Sequence, residues 1–376
     1  MAQLLEKMSV SNRKDMTIPD ARGQIILSAI ISEHLLTGEP VGSKVLAEKF
    51  SHTAGFSSAT IRNIMGELEE AGFVEQPHTS AGRIPTDKGY RFYVDNLLGI
   101  LSLDNEDLKL INKEFGLGEL DISDKPDRLM ERTSQLLSAL SQNVGIVISP
   151  NLANDYLQHI QFVNLSDKRI LVVLVSSPNI VHNKIIRLED TFTQEELDRT
   201  SRYLNVEFAG KTLSMIQAEI LRLMHEEKAL FDKLLQTAMI LCSQSIESEK
   251  GSIGEIYIDG TSNILTKPDF SNFERLRELL RTIEEKSRLM QILNECLGRD
   301  FPNKGNVQVV IGSENSTSSL QNCTLITAPY RIGNGETIGT LSVLGPTRIE
   351  YARMIAIVSY VSKILEKTML DDYSKV

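Results

Sequence analysis

The residues best suited to making specific contacts in this sequence are Arg62 and Asn63, which stand side by side. An asparagine amide can form two hydrogen bonds with the edge of adenine, and an arginine can bind guanine or a phosphate. In a helix, with about 100° between residues, Ala59, Asn63 and Gly66 share one face, and Thr60 and Arg62 lie at its edges. A face of short side chains with such donors near a helix N-terminus suits insertion into the major groove of double-stranded DNA.

The same stretch has the apolar spacing of an amphipathic helix. Ile61, Ile64, Met65 and Leu68 recur every three or four residues, which predicts one buried face. A serine at position 57 or 58 is placed to cap its N-terminus, and Ser58 joins Ala59 and Thr60 in the predicted contact set. Two interpretations of the helix-interior Gly66 stay open. Either it permits close approach to the duplex, or an exposed site tolerates its cost of about 1 kcal/mol relative to alanine.

The segments around this helix have the order of a winged helix-turn-helix. A first helix is predicted from Pro19 towards Gly38, and a short second helix is predicted over residues 43–50. After Gly72 ends the central helix, residues 73–75 read as a strand, and the turn-rich run 76–82 leads into residues 83–85. We call residues 73–85, a predicted β-hairpin with a polar tip, the wing.

The wing and the residues just after it supply a local positive charge. Arg83, Lys88 and Arg91 there outnumber Asp87, and Lys44 at the start of the second helix adds a predicted phosphate contact. The formal net charge of the whole chain is -10, however, and residues 1–95 carry ten Lys and Arg against twelve Asp and Glu. A nucleic-acid surface must therefore be a local patch, and we expect binding to depend strongly on salt.

The side chains at the wing tip are His78, Thr79 and Ser80. Their hydroxyls and imidazole suit phosphate positioning or a minor-groove contact. A metal or catalytic role for His78 is rejected because no second His, Cys or carboxylate stands at ligand spacing. An ordinary turn residue remains the alternative for His78. Three glutamates at positions 67, 69 and 70 lie at the far end of the central helix, where they need not meet DNA.

Several blocks of this sequence resemble signature segments of the HrcA family, which are bacterial heat-inducible transcription repressors. The blocks are residues 37–43 (TGEPVGS), 58–63 (SATIRN), 76–86 (QPHTSAGRIPT), 89–95 (GYRFYVD) and 260–265 (GTSNIL). The resemblance covers most of the chain, and the first three blocks in series are highly specific. It implies a dimer that binds an inverted repeat upstream of chaperone operons and is kept active by the chaperonin GroEL until heat stress diverts GroEL to unfolded proteins.

The rest of the chain predicts an α+β, multidomain fold. A helix over 126–143 precedes a buried strand at 144–150, and three further strand signals read as an antiparallel meander, at residues 157–165, 170–176 and 180–188. Helices follow up to about residue 246, including an apolar run over 230–241 that is either a core helix or, as we favour, a subunit interface. The last third predicts a strand at 255–258, one long helix over 273–297, three strands and a final helix.

If the strands at 144–149 and 255–258 share one sheet, this order outlines a GAF-like α/β domain with an insertion. Otherwise the meander could belong to the GAF-like sheet. The family resemblance implies the first arrangement, with an inserted α+β dimerisation domain. The predicted boundaries are 1–16 for a flexible extension, 17–100 for the winged helix-turn-helix, 101–125 for a linker, 126–152 with 252–370 for the GAF-like domain, and 153–251 for the inserted domain.

Composition excludes several other classes of protein. Cys242, Cys296 and Cys323 fit neither a disulfide framework nor a zinc site, so we expect free thiols in a reducing compartment. A signal-peptide layout and an apolar run of membrane-spanning length are both missing, which predicts a cytoplasmic protein without a membrane partner. No nucleophile elbow, metal spacing or phosphate loop suggests an enzyme, so no cofactor is expected.

The rival to the chaperonin-controlled repressor is a transcription regulator that senses a metabolite through its GAF-like domain.

Overall fold

The computed structural model describes residues 18–50, 56–99, 101–115, 126–149, 156–165, 167–176, 180–188, 190–212, 255–297, 306–332 and 337–373, with isolated positions 215, 216, 219, 222, 237 and 241. This part of the chain contains both helices and strands, and the strands form three sheets. The predicted extension 1–16, residues 116–125 of the predicted linker, most of the apolar run 230–241 and Cys242 lie outside the described residues.

The N-terminal unit (residues 18–97) is a set of helices followed by two short paired strands. Its elements are α1 (Ala21–Thr37), α2 (Ser43–Phe50), α3 (Ser58–Glu70), β1 (Val74–Glu75), β2 (Ile84–Pro85) and α4 (Asp87–Phe92), which continues as a π-helical turn (Tyr93–Leu97). Side chains cap three of these helices: Asp20 accepts from the Gly23 amide, Ser57 from Thr60 and Thr86 from Gly89. Gly38 ends α1 at φ 73°, a left-handed conformation that glycine adopts without strain.

The middle of the chain contains two helices, a strand, a three-stranded sheet and a further helix. The elements are α5 (Asn105–Glu114), α6 (Pro126–Ser141), β3 (Val144–Ile148), β4 (Leu157–Leu165), β5 (Arg169–Ser176), β6 (Ile180–Arg187) and α7 (Gln194–Phe208). Strands β4, β5 and β6 pair antiparallel in chain order. One face of this sheet packs on α7, and the core between them includes Ile160, Phe162, Val172 and Leu204.

The last third of the chain completes a five-stranded sheet. Its elements are β7 (Ile256–Asp259), α8 (Thr261–Leu265), α9 (Phe273–Glu284), α10 (Lys286–Leu297), β8 (Gln308–Ile311), β9 (Cys323–Ile332), β10 (Thr337–Pro346) and α11 (Tyr351–Tyr373). The strand order is β7-β3-β10-β9-β8, and every neighbouring pair is antiparallel. Among the described helices, none combines the length and the apolar character needed to cross a membrane.

Successive side chains of a strand point to opposite faces of the sheet. Both faces of the five-stranded sheet carry apolar side chains, and helices cover both. Val144, Ile146 and Ile148 of β3 join a core with α9 and α10. Val147 points to the opposite face, which is covered by α6 and α11. That second core runs on without interruption into the N-terminal unit, where it includes Ile61 of α3.

Several sequence predictions are confirmed at the level of individual elements. Strands β3 and β7 pair within one sheet, as the GAF-like outline required, and the meander forms its own sheet rather than joining that one. Tyr90 is buried, and Phe92 and Tyr93 pack against the same core.

Other predictions need correction or refinement. The single helix predicted over 273–297 is wrong, because the chain breaks at Glu285 (ψ 80°) into α9 and α10. The described part of the predicted linker contains α5, in which Asp107 and Ile111 are buried, so it is packed against the fold. Within the run 230–241, Thr237 and Leu241 are described; both are buried, and Leu241 belongs to the core shared with α7.

Gly89, in the first turn of α4, gives a test of how tightly this helix packs on the wing. A Cβ atom at position 89 would lie 2.1 Å from the carbonyl oxygen of Phe73, so Gly89→Ala must push α4 away from the wing. We expect the free energy of unfolding, measured by urea titration with circular dichroism, to fall by about 1–3 kcal/mol. Gly42→Ala is the matched control, because a Cβ there meets no heavy atom within 4 Å. Equal stability of the two variants would contradict this packing.

Candidate nucleic-acid interface

Helix α3 presents one apolar face to the core and one polar face to solvent. Ile61 and Leu68 are almost fully buried, while Ala59, Arg62 and Asn63 are exposed. Thr60 and Gly66 lie at intermediate exposure on the rim of this outer face. Within the described part of the chain, the Arg62 and Asn63 side chains form no hydrogen bond or ion pair, so their donors remain available to a ligand.

A groove of about 440 Å³ opens beside this face, where the start of α2, helix α3 and the wing meet. The charged and hydroxyl side chains predicted for DNA contact that line it are Lys44, Arg62, Thr79, Ser80 and Arg83. No carboxylate lines the groove, although the chain as a whole is acidic. The fold therefore gathers three cationic side chains around one concave surface, as a site for a phosphate backbone requires.

Backbone pairing holds the wing against the segment between α1 and α2. Val41 and Arg83 exchange two backbone hydrogen bonds, each 2.9 Å long. The chains approach so closely that a Cβ on Gly82 would lie 2.4 Å from the Val41 carbonyl, so only glycine fits there. Within the wing, the Gln76 side-chain amide donates to the carbonyls of Thr79 (3.0 Å) and Ala81 (2.9 Å), which fixes the tip loop.

Arg83 is held on the α3 side of the groove by an ion pair. Its Nη2 lies 2.8 Å from Oε2 of Glu69, and its side chain is 19% exposed against 35% for that of Glu69. The glutamate that the sequence placed away from DNA therefore attaches the wing to α3. The same pairing reduces the positive charge that Arg83 can offer a phosphate.

The other predicted basic residues have different surroundings. Lys44 is exposed at the start of α2. Lys88 is also exposed, but its Nζ donates to the carbonyl of Ala71 (2.8 Å) and lies 4.7 Å from the centre of the Phe73 ring. The inclusion of Arg91 in the wing's positive patch is wrong, because its guanidinium binds the carboxylate of Glu314 beside the five-stranded sheet.

The remaining predicted contacts are mostly near the surface. His78, Thr79 and Ser80 are exposed, and a turn is closed by the Ala81 amide donating to the His78 carbonyl (2.8 Å). Ser58 is less accessible, since its Oγ lies 3.1 Å from that of Ser43. His78 thus lies in a turn, and its contact with DNA stays a prediction. Among the described residues, no cluster of His, Cys, Asp or Glu could hold a metal ion.

Glu69, Gln76 and Val41 shape this interface and were not singled out by their sequence pattern. Gln76 stands inside a recognised block, and the carbonyls that its amide binds are only three and five residues away. A local search for side-chain amides in turns could have found it. The partners of Glu69 and Val41 lie across the fold, and a single sequence gives no signal for such pairs.

Comparison with known proteins identifies the relatives of this chain. A family model described as the HrcA protein C-terminal domain matches residues 127–355. The heat-inducible transcription repressor HrcA of Geobacter sulfurreducens is 40% identical over 354 residues, covering 94% of this chain and 99% of that protein. The corresponding repressor of Syntrophobacter fumaroxidans is 36% identical over 348 residues, covering 93% of this chain and 97% of its own.

A solved structure shares the fold. A crystal structure described as that of a hypothetical protein superposes with a TM-score of 0.58 at 24% identity, covering 94% of this chain and all of its own. At that identity the likeness concerns the fold alone, whereas the sequence matches extend over nearly the full length of named repressors. The chain therefore belongs to the HrcA family of heat-inducible transcription repressors, and it is a transcription regulator rather than an enzyme.

Proposed function

We propose that this repressor binds an inverted-repeat operator in double-stranded DNA, with α3 in the major groove and the wing on the adjacent backbone. One observation carries the proposal: the exposed face bearing Arg62 and Asn63 adjoins a groove that has three cations and no carboxylate. The operators would be those of chaperone genes, and the protein would act in the cytoplasm, where that DNA is.

The proposed contacts divide into two groups by chemistry. Residues of α3 would read base edges, with Arg62 and Asn63 as the donors and shorter neighbours allowing approach: Ser58, Ala59, Thr60 and Gly66. Residues of α2, the wing and the start of α4 would position the phosphate backbone without reading sequence: Lys44, His78, Thr79, Ser80, Arg83 and Lys88. Since Arg83 is paired with Glu69, we assign it more to holding the wing than to neutralising phosphate.

We assign the N-terminal unit to the winged helix-turn-helix class and the five-stranded sheet to a GAF-like domain. The succession α1, α2, α3, β1, β2 supports the first assignment, with α3 as the recognition helix. The antiparallel sheet with helices on both faces supports the second. Strands β3 and β7 pair directly although residues 149–255 separate them, which supports an inserted domain with the boundaries predicted above.

A homodimer would place two such units on the two halves of an inverted repeat. The outer face of the three-stranded sheet offers an apolar surface for this contact. Opposite the side that packs on α7, it carries Val163, Leu171, Val173, Val175 and Ile185, and Ile185 is 58% exposed. An exposed apolar side chain beside other apolar residues on a sheet face suits association with a second subunit.

The proposed protein partner is the chaperonin GroEL, which the resemblance to the HrcA family implies. In a repressor of marginal stability, a small change in the free energy of unfolding greatly changes the folded fraction and with it DNA binding. Chaperonin would keep that fraction high, and competition from heat-unfolded proteins would lower it. The relatives' names describe heat-inducible repression, with which this scheme agrees.

A regulator controlled by a metabolite is the alternative from another class. Such a protein would use a pocket in the GAF-like domain. In the part of the chain that the structure describes, helices pack on both faces of the five-stranded sheet, and no observation favours a ligand there. We therefore do not propose it.

Replacing Arg62 or Asn63 by alanine tests the reading face of α3. Each variant should weaken binding to the inverted repeat by about 1–3 kcal/mol, because a base contact is lost, while thermal unfolding stays unchanged since both side chains are exposed. Electrophoretic mobility shift with operator and scrambled duplexes measures this. Arg281→Ala is the control for net charge, because that 80% exposed arginine lies on α9. Binding like wild type by both variants would remove α3 from the interface.

Gly66 allows stability and binding to be separated. A Cβ at position 66 meets no heavy atom of the protein within 4 Å, so the fold itself does not require glycine. We expect Gly66→Ala to stabilise the protein by about 1 kcal/mol in chemical unfolding, owing to the gain in helix propensity. We also expect weaker operator binding, because the added methyl group would meet the duplex. A more stable variant with unchanged affinity would show that glycine has no role at this site.

The chaperonin proposal is tested with purified repressor and GroEL. Incubation with GroEL and ATP should increase the fraction of repressor that shifts an inverted-repeat duplex, because more of it reaches the binding-competent state. Adding an excess of an unrelated unfolded protein should remove the gain. Full binding without chaperonin, unchanged by its addition, would mean that another signal controls repression.

A further inference from the structure

The contact between α4 and the edge of the five-stranded sheet is the most specific polar junction between the N-terminal unit and the rest of the chain. We call it the seam, formed by residues 87–95 against residues 309–314. Arg91 Nε donates to Glu314 Oε1 at 2.7 Å, and its Nη2 donates to Glu314 Oε2 at 2.5 Å. The same Nη2 donates to the carbonyl of Val309, and Nη1 reaches Asp95 Oδ1 at 3.3 Å.

Each side of the seam is held by its own local structure. The Glu314 carboxylate also accepts the amide of Ile311 at 2.7 Å, which fixes it at the end of β8. Asp87 Oδ2 accepts the amide of Ser313 at 2.8 Å. Gly312 has φ 51°, and a Cβ there would lie 2.2 Å from an Asp87 carboxylate oxygen, so this approach requires glycine. The Arg91 and Glu314 side chains are 16% and 21% exposed, so water screens their attraction less than at the surface.

A second contact, outside the seam, limits rotation of the N-terminal unit. Arg348 binds both carboxylate oxygens of Asp269, at 3.0 and 2.9 Å, and donates to the Leu35 carbonyl at the end of α1 at 3.4 Å. Between the two contacts, the rings of Tyr90 and Tyr351 pack with their centres 5.5 Å apart. Because two separate attachments and a buried contact hold the N-terminal unit, it has a defined orientation relative to the five-stranded sheet and does not turn about a single hinge.

The seam is coupled directly to the wing. Helix α4 begins immediately after β2, and the Thr86 hydroxyl donates to the Gly72 carbonyl at 2.7 Å while accepting the Gly89 amide at 3.1 Å. The Phe73 and Phe92 rings pack edge to face, with centres 5.3 Å apart. Movement of α4 would therefore displace the wing and α3 together.

We propose that Arg91, Glu314 and Asp87 determine which spacing of operator half-sites this protein accepts. The inference rests on the proposed binding of an inverted repeat by a dimer. In a two-fold dimer the separation of the half-sites must match the separation of the recognition helices. A stiff junction accepts only a narrow range of half-site spacings. A loose junction accepts many spacings, but binding then costs free energy because each N-terminal unit must be ordered on the DNA. The three residues are positioning residues that do not touch DNA.

The test uses the full-length protein with Glu314→Gln and Asp87→Asn combined. The operators carry identical half-sites with spacers lengthened or shortened stepwise over one helical turn, about 10 base pairs, and a single half-site is measured separately. Wild type should bind its preferred spacing at least about tenfold more tightly than spacings changed by half a turn. In the variant this preference should fall to about threefold or less, mainly by loss at the preferred spacing, with half-site affinity unchanged.

Glu285→Gln is the matched control, since it removes a carboxylate from an exposed ion pair with Arg281 and should leave the preference as in wild type. Hydrogen–deuterium exchange supplies a readout without DNA: segments 86–97 and 309–314 should exchange slowly in wild type and faster in the double variant, with β9 and β10 unchanged. Seam segments that already exchange fast in wild type would overturn the inference.

The binding outcomes separate the inference from the proposed function. A wild-type spacer preference that the variant keeps would overturn the inference alone. Tighter binding of the preferred spacing by the variant would also overturn it, because the seam would then hold the unit in a non-binding orientation. Absence of wild-type binding at every spacing would overturn the proposed function, and the inference with it.

Discussion

Burial of the apolar side of α3 is the constraint on which the interface depends. Ile61, Met65 and Leu68 are each at most 4% exposed, and burying such a side chain contributes about 1.5–3 kcal/mol. Rotating the helix to hide Arg62 would expose these residues and leave a charged group in the core. The rotational position of α3 is thus fixed by its hydrophobic face, and the polar face is directed outward as a consequence. The groove and the wing are arranged around that fixed helix.

Charge on this protein is organised locally, against its overall balance. The net charge of -10 repels DNA at long range, so an attraction can come only from groups close enough to act within the screening length, about 8–10 Å at moderate salt. The groove meets this condition, because its cations converge from α2, α3 and the wing and its lining lacks carboxylates. Glu69 is the nearby acidic exception, and its use in holding Arg83 shows that one ion pair can shape a surface while weakening its charge.

The N-terminal unit packs directly against the rest of the described fold. Its hydrophobic core continues into the core that covers one face of the five-stranded sheet. Helix α5 adds to this union, since the buried carboxylate of Asp107 binds both Nε and Nη2 of Arg353 at 2.9 Å. Shared burial of this kind couples the orientation of α3 to the stability of the sheet, because neither can change without exposing apolar surface. A repressor whose activity follows its folded fraction would gain from such coupling.

The sequence by itself determined the features that depend on neighbours along the chain. Helical period identified α3 and its buried face, a serine at position 57 or 58 marked its N-cap, and apolar runs between turns marked strands of both larger sheets. Family blocks identified the repressor class, and these local signals are readable because their partners lie within a few residues.

Tertiary structure alone decided what depends on distant partners. It moved Arg91 from the wing's positive patch to a bond with Glu314, 223 residues away. It likewise paired Arg83 with Glu69 and Val41 across the fold, because the position of a charge or a backbone hydrogen bond in space is set by how separate elements pack.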